Sequence, residues 1–125
     1  MLARAHRLLG EDAFRQTFAL GRRWSTPDAS LHARCVDPEA VAALGFVVGR
    51  RALKRAVDRN AFKRRVRGAF RLHLADRPGL QLVVRLRSTP SSGAIAAAQA
   101  VAARFEEIDA WFASQSPACA STSTR

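Results

Sequence analysis

The sequence predicts an α+β domain in the order helix, three strands, long basic helix, strand, helix. Three observations carry this reading. Residues 29–36 and 80–87 alternate apolar and polar side chains with the two-residue period of a strand. Residues 57–75 repeat apolar side chains at the period of an amphipathic helix. An alanine-rich run after Ser92 repeats them in the same way. At 125 residues and 13.7 kDa the chain suits one such domain and one core.

The first helix is read over Glu11–Leu20, where Glu11 and Asp12 open it, Gly21 closes it, and Phe14 and Phe18 share one face four residues apart. The region of Trp24 is read as a short strand. From Ala29 to Val36, Leu31, Ala33 and Cys35 fall on one side and Ser30, His32 and Arg34 on the other, before Asp37-Pro38 turns the chain. Leu44–Val48 is a second apolar, β-branched strand that Gly49 breaks. In the long helix, Phe62, Val66, Ala69, Phe70 and His73 occupy one arc at about 100° per residue. Arg59, Asn60, Lys63, Arg64, Arg67 and Arg71 fill the neighbouring arc, and Arg65 stands on the other side. Arg77-Pro78-Gly79 ends this helix, and Leu80, Leu82, Val84 and Leu86 then alternate with Gln81, Val83, Arg85 and Arg87. Ser91-Ser92 is read as the N-cap of one last helix through Ser114, with Ile95, Ala98, Ala102, Phe105, Ile108 and Phe112 on its apolar stripe. The domain is therefore drawn over residues 1–113, and residues 114–125, small and polar, are expected to form a disordered tail.

Charge points to the partner. The chain carries 21 Lys and Arg against 10 Asp and Glu, a formal net charge of +11. Lys54 and Lys63 are its only lysines. Arginine's planar fork grips phosphate oxygens in pairs and stacks on bases, so nucleic acid is a better match than an anionic membrane. Residues 50–71 hold ten of these cations and one acid, Asp58, a density that self-repulsion disfavours unless a polyanion compensates. Arg50, Arg51, Lys54, Arg55 and Arg71 are candidate RNA-binding residues on that ground. The aromatics Phe14 and Phe18 serve either as core or as a stacking surface for unpaired bases.

Other classes find little support. His6, His32 and His73 are isolated, and no metal-ligand spacing, Gly-rich phosphate loop or nucleophile constellation is present, so no catalytic residue and no metal site is assigned. His73, on the apolar arc, reads as a packing residue. Cys35 and Cys119 are too widely spaced to suggest a disulfide framework. No apolar run approaches the roughly 20 residues of a membrane span, and MLARAHRLLGEDAF lacks the features of a secretory signal. A cytoplasmic protein without membrane contact is expected.

The stretch Leu44 to Arg71, LGFVVGRRALKRAVDRNAFKRRVRGAFR, closely resembles the signature of the bacterial ribonuclease P protein component. Its hallmark is Arg-Asn followed by Lys-Arg and a further Arg on one helix, here Arg59-Asn60, Lys63-Arg64 and Arg67. Arg7-Leu8, Phe14 and Phe18 match that family's first helix, and Leu80–Arg87 its last strand, so the likeness covers about residues 7 to 112. The resemblance implies an α/β sandwich, α-β-β-β-α-β-α, with a left-handed crossover at the basic helix, as in the second domain of ribosomal protein S5. It implies a protein subunit of an endoribonuclease whose catalysis, and whose magnesium, reside in an RNA subunit. The protein itself would bind no cofactor and require no protein partner. Arg59, Asn60, Lys63, Arg64 and Arg67 would face the catalytic RNA. A cleft between first helix and sheet, with Phe14, Phe18, His32 and Arg87, would hold the 5′ leader of precursor tRNA. His32 stands where relatives often have an aromatic, and Gln81 where they often have an acid.

Two other readings explain part of the pattern. A general basic RNA-binding or ribosomal-type protein accounts for the charge but not for the combined signature. A free-standing nuclease would need a carboxylate or histidine constellation that the chain lacks.

Overall fold

The computed structural model describes residues 11–123, with side chains described for residues 15–19 and 21–115. Its elements are α1 (Glu11–Leu20), β1 (Arg22–Ser25), β2 (Ala29–Cys35), β3 (Ala43–Val48), α2 (Ala56–His73), β4 (Leu80–Leu86), α3 (Ala94–Ala102) and α4 (Phe105–Ser123). The strands form one sheet in the order β1-β2-β4-β3. Strand β4 is antiparallel to β2 and parallel to β3, so α2 serves as the crossover between two neighbouring parallel strands.

Strand alternation sorts the side chains into two layers. Leu31 and Ala33 of β2, Leu44 of β3, and Leu82 and Val84 of β4 meet Phe62, Val66 and Phe70 of α2, with Val101, Phe105 and Ile108 from the last two helices. Phe62, Phe70 and Phe105 are almost wholly enclosed, and each such ring contributes about 1.5–3 kcal/mol relative to an exposed one. On the opposite face Phe18 of α1 packs on Val83 and Ala43, a second and smaller apolar cluster. Because α1 covers that face, Ser30 and His32 are only 2% and 8% exposed, and β2 is buried on both sides although its sequence alternates apolar and polar residues.

Two glycines fix the chain where elements meet. A Cβ on Gly21 would run into the carbonyl oxygens of Thr17 and Ala33, so only glycine lets α1 turn directly into β1. Gly79, at φ +86°, ends the turn after α2 and exchanges backbone hydrogen bonds of 2.7 Å with Val36 and Ala40.

The C-terminal region departs from the predicted single helix. The chain breaks at Ala103–Arg104, where the Arg104 amide bonds the Val101 carbonyl at 3.0 Å in a tighter turn. Helix α3 starts from Gly93, at φ +93° and with no side-chain cap, while Ser91 and Ser92 lie in the preceding turn. Ile95, predicted on the apolar stripe, is 40% exposed, the buried face of α3 being Ala97, Ala98 and Val101. Helix α4 extends to Ser123, past the Ser114 boundary set for a polar tail. Strand β1 exists because Trp24 turns inward against Trp111 of α4, ring centroids 5.4 Å apart.

Candidate nucleic-acid interface

The loop after β3 turns its cations outward by burying Ala52 and Leu53. The Gly49 carbonyl accepts hydrogen bonds from the Ala52 and Leu53 amides, both at 3.2 Å, and Ala52 and Leu53 enter the core. Arg50, Arg51, Lys54 and Arg55 are left exposed. The Thr89 hydroxyl donates to the Arg51 carbonyl at 3.1 Å and ties the loop to the segment before α3.

Helix α2 continues the surface. Its buried stripe is Phe62, Val66 and Phe70, so the neighbouring arc of Asn60, Lys63, Arg64, Arg67 and Arg71 reaches solvent wholly or in part. His73, expected to pack, is exposed because the helix ends there and the core contact passes to Leu74. Arg59 has a second task. One guanidinium nitrogen donates to the Leu53 and Lys54 carbonyls at 2.8 and 2.9 Å and braces the loop. The Arg67 guanidinium lies 5.3 Å from the Phe46 ring centroid, a cation–π arrangement at the sheet edge. Lys63 has its pKa lowered by partial burial first, then by Arg67 and Arg59. These three cations therefore converge, and an approaching phosphate relieves their repulsion.

A second site lies on the other side of the sheet, beneath α1. Phe18 stands edge-on to the His32 ring, centroids 4.5 Å apart, and the His32 Nε2 shares a 2.9 Å hydrogen bond with the Ser30 hydroxyl. Burial lowers the His32 pKa, and Arg23, Arg85 and Arg87 lower it further. Arg23 lies opposite His32 in the β1–β2 register and Arg85 opposite Ser30 in β2–β4, so both exposed arginines stand on the His32 face of the sheet. Arg87 also donates to the Thr26 and Ala29 carbonyls at 2.9 and 3.2 Å, which secures the β1–β2 turn. Gln81 closes one end: its Oε1 accepts from Arg34 at 3.0 Å and from Thr17 at 3.3 Å. The side chain of Phe14 lies outside the described residues.

The structure thus places the described candidates, Phe14 aside, in two groups separated by the sheet. It adds Arg23, Ser30 and Arg85, whose clustering depends on strand register and leaves no sequence signal beyond alternation. Among the described residues no three His, Cys, Asp or Glu side chains form a group able to hold a metal ion, and no helix is long and apolar enough to cross a membrane.

These features can be set beside known proteins. The profile of the Ribonuclease P family matches residues 2–108. The chain is 41% identical over 87 residues to the ribonuclease P protein component of Chromobacterium violaceum, covering 68% of this chain and 69% of that one. It is 38% identical over 99 residues to that of a Nocardioides species, covering 78% and 84%. The RNase P protein from Staphylococcus aureus shares the fold at a TM-score of 0.65 and 21% identity, covering 87% of this chain and 92% of that one. The RNase P protein from Thermotoga maritima superposes at a TM-score of 0.55 and 26% identity, covering 84% of each chain. Sequence, fold and the cationic helix agree, and the chain belongs to the ribonuclease P protein component family.

Proposed function

We propose that the outer arc of α2 and the loop before it bind the RNA subunit of ribonuclease P, while the α1–sheet cleft takes the 5′ leader of precursor tRNA. As a family member the chain is the protein subunit of this tRNA-processing endoribonuclease. The observation that carries the finer reading is the outward display of the cations of residues 50–71 around a helix whose other side is core. Neutralising phosphates there releases counterions and lowers the free metal ion needed to fold and dock RNA. Hydrolysis and its magnesium belong to the RNA subunit, and the complex works in the cytoplasm.

In the cleft, Phe18 offers a partly exposed ring for a base and Arg23 and Arg85 offer charge to the backbone, above a buried His32–Ser30 pair that holds the floor.

The test is precursor tRNA at low magnesium with the RNA subunit alone, the protein alone, and both. Cleavage at the mature 5′ end should require both. Cleavage by protein alone would make it a nuclease in its own right; binding without stimulation would make it a general RNA-binding protein.

A further inference from the structure

Helices α2 and α3 leave between them a groove of about 670 Å³, within the range of about 300–1,000 Å³ that small-ligand sites occupy. Its lining combines two features that rarely coincide by packing alone. Arg64, Arg65 and Arg71 stand exposed around it, and no acid lines it. Within the described residues no ion pair holds any of the three. The floor is apolar and open: Leu72 is 74% exposed, Ile95 is 40% exposed, and a Cβ added to Gly68 would meet nothing within 4 Å.

We infer that this groove seats an unpaired nucleotide of the RNA subunit, its base against Gly68, Leu72 and Ile95 and its flanking phosphates on Arg64, Arg65 and Arg71. The inference rests on the proposed RNA-binding role of α2 and extends it around the helix. Charge complementarity selects a polyanion. A duplex would use the cations but gain nothing from the apolar floor, whereas a splayed base needs both a surface for its ring and charge for its backbone. Continuity selects the source: Arg64 and Arg71 belong to the arc assigned to the RNA subunit, while the leader cleft lies across the sheet under α1. Gln99, exposed on α3 at the groove wall, can donate to and accept from a base edge.

Glycine at position 68 makes the test sharp. Gly68→Leu fills the groove, changes no charge and improves helix propensity, so the variant should fold. Equilibrium binding of the cognate RNA subunit is compared for the wild type, Gly68→Leu, Arg65→Ala and Lys63→Ala, with chemical probing of unpaired nucleotides and a melting curve for each protein. Gly68→Leu and Arg65→Ala should each weaken binding by about tenfold. A short run of nucleotides protected by the wild type should regain reactivity in both. Wild-type affinity and protection for Gly68→Leu and Arg65→Ala, with weakened binding by Lys63→Ala alone, would overturn the groove and leave the RNA-binding arc standing. Wild-type behaviour of all three would overturn that arc as well. A second copy of this chain as occupant would show as self-association that Gly68→Leu abolishes without touching RNA affinity, and would also overturn the inference. Should Gly68→Leu melt early, Arg65→Ala and its footprint decide.

Discussion

Arg59 and Lys63 sit one helical turn apart on α2, yet removing each should read differently. Lys63 makes its contribution as charge: Lys63→Ala should leave the melting temperature unchanged and reduce the log–log salt slope of RNA binding by about 0.7–0.9. Arg59 also holds the Leu53 and Lys54 carbonyls, and each such bond is worth about 0.5–1.5 kcal/mol net. Arg59→Ala should therefore lower the melting temperature and weaken RNA binding beyond one ion's worth, because the loop bearing Arg50, Arg51, Lys54 and Arg55 loses its brace. Thermal melts beside salt titrations of the two variants distinguish these roles; identical behaviour would refute the bracing role. His32 offers a second contrast. Its folded pKa lies below the ordinary value of about 6.5, so protonation favours the unfolded chain. The stability it contributes is present above about pH 6.5 and declines as pH falls through that value toward the depressed folded one. Leader phosphates favour the charged ring, so leader affinity should move oppositely and rise as pH falls through about 6.5 toward the depressed folded value. Denaturation and leader-binding profiles of the wild type and His32→Gln test both signs, and His32→Gln should flatten each.

At the scale of elements, what the sequence made legible follows from period and length. The long helix and the strands of residues 29–36 and 80–87 were readable because each shows several repeats of its own period. Strand β1, with a single inward residue, Trp24, shows none. The α3–α4 break was hidden because Ala98, Ala102, Phe105 and Ile108 keep a helical spacing across it, and nothing at Ala103–Arg104 resembles a stop signal. The basic arc was legible for the same reason as the helix. The cleft was legible only in part, since Arg23 and Arg85 join His32 through strand pairing, which the sequence does not state. Junctions can still be predicted once seen. Gly21→Ala should destabilise the fold by about 1–3 kcal/mol, since both obstructing atoms are backbone carbonyls and neither can swing aside. Denaturant midpoints measure this; an unchanged midpoint would mean that α1 is free to shift on the sheet.

For the whole molecule, the sheet separates the two proposed binding surfaces. The proposed RNA-facing arc draws on α2 and its loop, the proposed leader cleft on α1 and the far face of β2 and β4. Phe18→Leu keeps much of its burial and should cost under about 1.5 kcal/mol of stability, while base stacking suffers by up to about 1–3 kcal/mol. It should weaken binding of precursor tRNA with a leader, spare mature tRNA, and leave RNA-subunit binding alone. Combined with Lys63→Ala, the two effects should add within about 0.3–0.5 kcal/mol, as expected for distant sites. A larger coupling energy in that double-mutant cycle would show that the sheet transmits between its faces.

The strand order β1-β2-β4-β3 also bears on how the chain is made. A nascent chain that has emerged as far as His73 already holds every cation of the basic loop and helix, yet β2 and β3 have no partnership with each other until β4 arrives between them. The basic helix is thus chemically complete before it is anchored. A protein ending before Leu80 should be protease-sensitive throughout, while the full-length chain should resist, and any polyanion met during synthesis meets the basic segment while it is still a tether rather than a surface.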